Sequence, residues 1–189
     1  MNSQFKNTTE IELIKMMSED YGNKEAIFTE IYKRLSKPLY SYCVGACTGD
    51  KDKANDLFQD TFIRFHDAIK KTVIEKPLQY IIRIARNKHL SNQEKIREEI
   101  RDIDELDVFQ VNDNKYEKEE LYNLILSALD LLDDKYRDVF VLREFEMMSF
   151  QEIADLCNLS LSNAKMLAVR SREKIVKILQ PYIQDLNKS

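Results

Sequence analysis

Asp56, Gln59, Asp60 and Ile63 fall at i, i+3, i+4 and i+7 of a helical period, so two carboxylates and an amide share one strip that ends on an aliphatic side chain. Such a strip suits recognition of a basic protein surface; it also describes the solvated face of an ordinary helix. A second group, Tyr80, Arg83, Arg86, Asn87, Lys88, His89 and Lys95, mixes cations with an aromatic ring and an amide. These are the residue types that line grooves for single-stranded nucleic acid, and again a solvated basic helix uses the same set. A third group follows Ser149-Phe150-Gln151-Glu152, which has capping-box spacing. Asn158 stands where a left-handed residue closes a helix, and Ser160 can cap the next one. This is helix-turn-helix spacing, and it places Ser162, Asn163, Lys165, Met166, Val169 and Arg170 where base or phosphate contacts are made in a major groove. Any αα-hairpin shares part of that pattern. Between Ser149 and Leu179, five basic residues (Lys165, Arg170, Arg172, Lys174, Lys177) outnumber three acidic ones (Glu152, Asp155, Glu173), although the whole chain carries a net charge of −4.

Covalent chemistry is poorly provided for. There is no glycine-rich phosphate loop and no HExxH, and only His66 and His89 can serve as bases. Cys43 and Cys47 lie four apart, but no further ligand stands at metal spacing, and three cysteines with no framework spacing argue against a disulfide scaffold. No catalytic residue, metal or cofactor is expected, and the chain is not read as an enzyme. No basic-then-apolar export signal opens the sequence, and no apolar run approaches the roughly 20 residues of a membrane span, so a cytoplasmic protein without membrane insertion is expected.

The elements that must position these groups are helices. With 3 Gly, 3 Pro and no Trp, against 43% hydrophobic and 33% charged residues in 189, the punctuation needed by sheets is missing and the chain is predicted to be all-α. Apolar periodicity predicts two short N-terminal helices, an amphipathic helix over about 51–70 and another from Pro77 to about 96. Between Glu98 and Glu120 stand ten acidic residues against Arg101, Lys115 and Lys118, without sustained periodicity. This acidic stretch reads as a linker between two small helical domains. In the second half, Leu121, Leu124, Ile125, Ala128 and Leu131 are expected to form one stripe. Ile153, Cys157, Leu159, Ala164 and Leu167 or Ala168 are expected to fill the helix-turn-helix angle.

Taken in order, Asp56-Leu57-Phe58-Gln59-Asp60-Thr61-Phe62, Tyr80-Ile81-Ile82-Arg83-Ile84-Ala85-Arg86-Asn87, the acidic linker and Ser149-Phe150-Gln151-Glu152-Ile153-Ala154 resemble an extracytoplasmic-function sigma factor of bacterial RNA polymerase. The resemblance implies a region 2-type domain at 8–97, a linker at 98–117 and a region 4-type domain at 118–183. It implies a factor that binds core polymerase and directs promoter-specific initiation. Asp56, Gln59, Asp60 and Ile63 would meet the clamp helices of the largest subunit, and the second domain would meet the flap of the second-largest. Tyr80, Arg83, Arg86, Asn87 and Lys88 would serve the minus-10 element. Arg143, Asn163, Lys165, Met166, Val169 and Arg170 would serve the minus-35 element. An anti-sigma factor is an expected partner. The chain departs from the family pattern at Tyr80 (usually Trp), Ser91 (usually Asp), Asn158 (usually Gly), Asn163-Ala164 (usually Thr-Val) and Met166-Leu167 (usually Ser-Arg). The alternative is a stand-alone helix-turn-helix regulator, which would bind a symmetric operator without polymerase.

Overall fold

A computed structural model describes residues 5–19, 23–72, 74–100 and 117–186, and among these the chain is helical with no strand. Helix α1 (Glu10–Ser18) opens on a capping box: the Thr9 side chain accepts from the Glu12 amide, and the Thr9 amide donates to the Glu12 carboxylate. Helix α2 (Lys24–Ala46) is 23 residues long, not the short element expected, because it runs through Pro38. An interior proline costs about 3 kcal/mol. Leu35, Leu39, Tyr42, Cys43 and Ala46 are buried along its far half; at about 1.5–3 kcal/mol for each large side chain, their burial outweighs the break.

Helix α3 (Lys51–Ile69) is capped by Asp50, whose side chain accepts from the Lys53 amide at 3.0 Å. It buries Ala54, Leu57, Thr61, Phe62, Phe65 and Ile69, and the Thr61 hydroxyl is satisfied by the Leu57 carbonyl at 2.6 Å. Helix α4 (Pro77–Ile100) buries Ile81, Ile82 and Ala85 and ends beyond the expected residue 96. Ring contacts tie these helices together: Phe58 of α3 meets Tyr40 of α2 edge-to-face, and Phe65 of α3 lies tilted against Tyr80 of α4. The centre of the expected linker, 101–116, lies outside the described residues.

The C-terminal half holds α5 (Glu117–Asp130), α6 (Asp134–Phe140), a π-helical turn (Val141–Phe145), α7 (Phe150–Cys157) and α8 (Leu161–Leu186). The α5 stripe is turned from the expected phase: Leu121 and Leu131 are 45% and 72% exposed, while Leu126, Ala128, Leu129 and Leu132 are buried. Arg137 fixes the end of α5 by donating to the carbonyls of Leu129, Asp130 and Leu132.

Ser149 opens α7 with the expected capping box. Asn158 closes it at φ 54°, ψ 47°, with the Asn158 and Leu159 amides both on the Ala154 carbonyl, a left-handed cap. Ser160 then accepts from the Asn163 amide at 3.2 Å and starts α8. The angle between the helices is filled by Ile153, Ala154, Leu156, Ala164, Leu167 and Ala168, whereas Cys157 and Leu159 are only half-buried. Because a β-branched side chain is strained at positive φ, Asn158→Val should lower stability by about 1–2 kcal/mol while Asn158→Gly does not. Thermal melting of the two variants checks this, and equal melting temperatures would contradict it.

The two halves meet along a seam. A Cβ on Gly45 of α2 would lie 2.9 Å from both Val141 methyls and 3.0 Å from the Phe145 ring, so only glycine lets the π turn approach this closely. Across the same seam Gln79 donates to Glu152 at 2.6 Å and Thr48 to Asp130 at 3.0 Å.

Candidate nucleic-acid interface

Burial of Leu57, Phe62 and Phe65 turns the opposite side of α3 outward, so Asp56 and Gln59 are exposed and Ile63 is 63% exposed. Asp60 is half-buried because it pairs with Lys88 of α4 at 3.0 Å. The acidic strip therefore exists, and one of its carboxylates is shared with the neighbouring basic helix.

On α4 the five residues read as minus-10 candidates separate into different environments. Arg83 and Asn87 are exposed, Tyr80 packs beside Phe65, and Lys88 is engaged by Asp60. Arg86 turns into the seam, where its Nε donates to Asp138 of α6; the two side chains are only 17% and 10% exposed. Asp138 also accepts from the Tyr42 hydroxyl at 3.2 Å and the Cys157 thiol at 3.6 Å. This hub was missed from sequence, because its partners lie 52 and 96 residues from Asp138 in the chain.

The seam also perturbs titrating groups. Burial pushes the Tyr42 hydroxyl well above its ordinary range, with the Asp138 charge adding to the effect. Burial likewise raises the Cys47 thiol to about 11 and Cys157 to about 12 and pushes Cys43 up, so none of the three is poised as a thiolate. His89 is held below its usual value, first by burial and then by Arg137. Glu146 is raised to about 7 by burial, against a bond from Ser41 of α2. Its Oε1 is buried with no hydrogen-bond partner. Among the described residues no group of three or more His, Cys, Asp or Glu side chains could hold a metal ion, Cys43 and Cys47 included.

Helix α8 presents the second surface. Asn163, Lys165 and Arg170 are exposed, Met166 is 39% and Val169 57% exposed, and Ala164, Leu167, Ala168 and Ser171 face the core. Arg143 is half-buried: its guanidinium donates to the Met148 carbonyl at 2.7 Å and stacks 4.5 Å from the Phe150 ring. It braces the turn that leads into α7. Further along α8, Arg172 pairs with Glu144, and Lys174 lies over Tyr136.

Comparison with known proteins matches both halves. The family described as Sigma-70 region 2 matches residues 31–97, and Sigma-70, region 4 matches residues 122–175. The ECF RNA polymerase sigma factor SigM of Bacillus subtilis (strain 168) is 24% identical over 159 residues, covering 82% of this chain and 97% of that protein. The RNA polymerase sigma factor SigZ of the same organism is 26% identical over 156 residues, 80% of this chain and 86% of its own length. Among solved structures, RpoE in complex with the anti-sigma factor NepR from Bartonella quintana superposes with a TM-score of 0.69 at 20% identity, over 81% of this chain and 96% of that one. CnrH in complex with the cytosolic domain of CnrY gives 0.66 at 20% identity, over 91% and 97%. Among the described residues no helix is long and apolar enough to cross a membrane.

Proposed function

Since the chain belongs to the extracytoplasmic-function sigma factors of bacterial RNA polymerase, which direct promoter-specific initiation, we propose that its two exposed faces divide that task. The α3 strip of Asp56, Gln59, Asp60 and Ile63 docks on the clamp helices of the largest subunit. The C-terminal half meets the flap of the second-largest, and the start of α8, from Asn163 to Arg170, reads the minus-35 duplex. Arg83 and Asn87 are the α4 residues already free to meet the minus-10 strand. Arg86 and Lys88 join them only after leaving Asp138 and Asp60. Flipping a base out of the stack costs a few kcal/mol, which contacts of this kind must offset.

The observation that carries this reading is the outward display of Asp56, Gln59 and Ile63 within the region 2 match, at the same time as Lys165, Met166, Val169 and Arg170 within the region 4 match. The factor has no chemistry of its own; the polymerase makes the phosphodiester bonds. A net charge of −4 favours a protein that binds DNA poorly alone and acts as holoenzyme in the cytoplasm. An anti-sigma factor is the expected negative partner, given that both RpoE and CnrH are solved in complex with another protein, named as an anti-sigma factor for RpoE.

Run-off transcription from a promoter library with core polymerase tests the reading. The wild-type chain should confer initiation, and Asp56→Arg/Asp60→Arg should abolish it. Asp56→Arg alone, which leaves the Lys88 pair intact, should still reduce it. If the free protein instead shifts palindromic DNA and core polymerase gains no specificity, a stand-alone regulator is the better description.

A further inference from the structure

The first three turns of α8 carry two aliphatic side chains where a groove-reading helix would be expected to carry polar ones. At about 100° per residue, Met166 and Val169 lie about 60° apart on the side opposite Ala164, Ala168 and Ser171. Those three residues are buried, while Met166 and Val169 are 39% and 57% exposed. Lys165 flanks the pair on one side and Arg170 on the other, both exposed. One turn further, the exposed Glu173 closes the same strip, and its charge would be repelled by phosphate. The strip is thus an apolar centre with cationic edges and an acidic stop.

Base edges in the major groove are hydrogen-bond donors and acceptors with one exception, the C5-methyl group of thymine. An aliphatic side chain set against a donor or acceptor strips it of water and returns nothing; set against a methyl group it buries apolar surface. Three residues of helix rise about 4.5 Å, close to the roughly 3.4 Å between stacked base pairs, so Met166 and Val169 reach neighbouring steps.

Resting on the sigma-factor reading above, we propose that α8 reads thymine: Met166 and Val169 pack on the C5-methyl groups of adjacent or next-adjacent A·T pairs in the minus-35 element, while Lys165 and Arg170 hold the flanking phosphates. The specificity is carried by methyl contact, with Met166 standing where the family pattern usually has Ser.

The test uses holoenzyme on a promoter recovered by run-off, with each thymine of the minus-35 element replaced in turn, on either strand, by deoxyuridine. That exchange removes the methyl group and keeps every hydrogen-bonding group. At one or two neighbouring positions it should reduce open-complex formation about fourfold, the worth of one buried methyl-sized group. The Met166→Ala/Val169→Ala chain should initiate more weakly on thymine DNA and lose all further sensitivity to deoxyuridine. Both side chains are exposed, so the variant keeps its fold. Lys165→Ala should weaken every sequence alike and reduce the salt slope by about 1. An active promoter whose transcription is indifferent to deoxyuridine throughout the element overturns the inference and leaves sigma activity standing. Failure to initiate from any promoter overturns that activity and the inference with it.

Discussion

Asp138→Ala should open the molecule without unfolding it. Its carboxylate is the shared acceptor for Arg86 and Tyr42 across the seam and for Cys157 within its own half, and both ion-pair side chains are at least four-fifths hidden from solvent. Removing one member of such a pair leaves the other charge buried without a partner, a change that costs about 3–5 kcal/mol. Each half keeps its own buried helices, Ile81, Ile82 and Ala85 on one side and Ile153, Leu156 and Ala164 on the other. The strain is therefore relieved by separating the halves, which rehydrates the Arg86 guanidinium. A loss of that size moves a docking equilibrium by about two to four orders of magnitude. Small-angle scattering should show a larger radius of gyration with unchanged helical circular dichroism. Asp138→Asn, which keeps an acceptor for the Tyr42 hydroxyl, should fall between the two. A radius equal to wild type in Asp138→Ala would show that the seam does not depend on this hub.

The second large effect is one of pH. Glu146 lies in the π-turn end of the seam, with Ser41 and Cys43 of α2 and Tyr122 of α5 as the groups that sense its charge, and burial raises its carboxyl from 4.5 to about 7. The docked form therefore binds a proton that the separated form releases between those two values. Docking carries no penalty from this group below pH 4.5; the penalty grows as pH rises and is complete above about 7. His89 acts in the opposite direction. Its value is lowered in the folded chain, so its penalty is absent above 6.5 and appears on acidification. Part of the Glu146 side chain still reaches solvent, which screens its charge, and docking should weaken by about tenfold between pH 5.5 and 8. Glu146→Gln should flatten that slope. A fluorescence pair placed on α1 and the end of α8 reads it directly, and an identical pH profile in the variant would refute the linkage.

The parts of this structure that could be read from sequence are those written in local spacing. The Ser149 capping box, the Asn158 turn and the α3 stripe each need only neighbours within a turn or two, and they appear where the pattern places them. Pro38 of α2 is a strong local stop signal that is overridden by burial of Leu39, Tyr42 and Cys43, which no local spacing reveals. The α5 stripe is ambiguous because Leu121, Leu124 and Ile125 stand beside Leu126, Leu129 and Leu132, and either set makes an apolar face. Arg86 is the most instructive case. A cation on a helix looks the same in sequence whether its partner is a phosphate or a carboxylate 52 residues away, and here the described partner is Asp138.

Gly45 gives the seam a property beyond its geometry. At that point the halves touch through Val141 and Phe145 against bare backbone, a contact of shape and dispersion rather than charge, and the nearby Arg86–Asp138 pair is largely shielded from counterions. Binding to nucleic acid through exposed lysines and arginines weakens steeply as salt rises. Ionic strength therefore acts on the two contacts unequally: added salt weakens binding to DNA through the exposed cations and leaves the seam largely untouched.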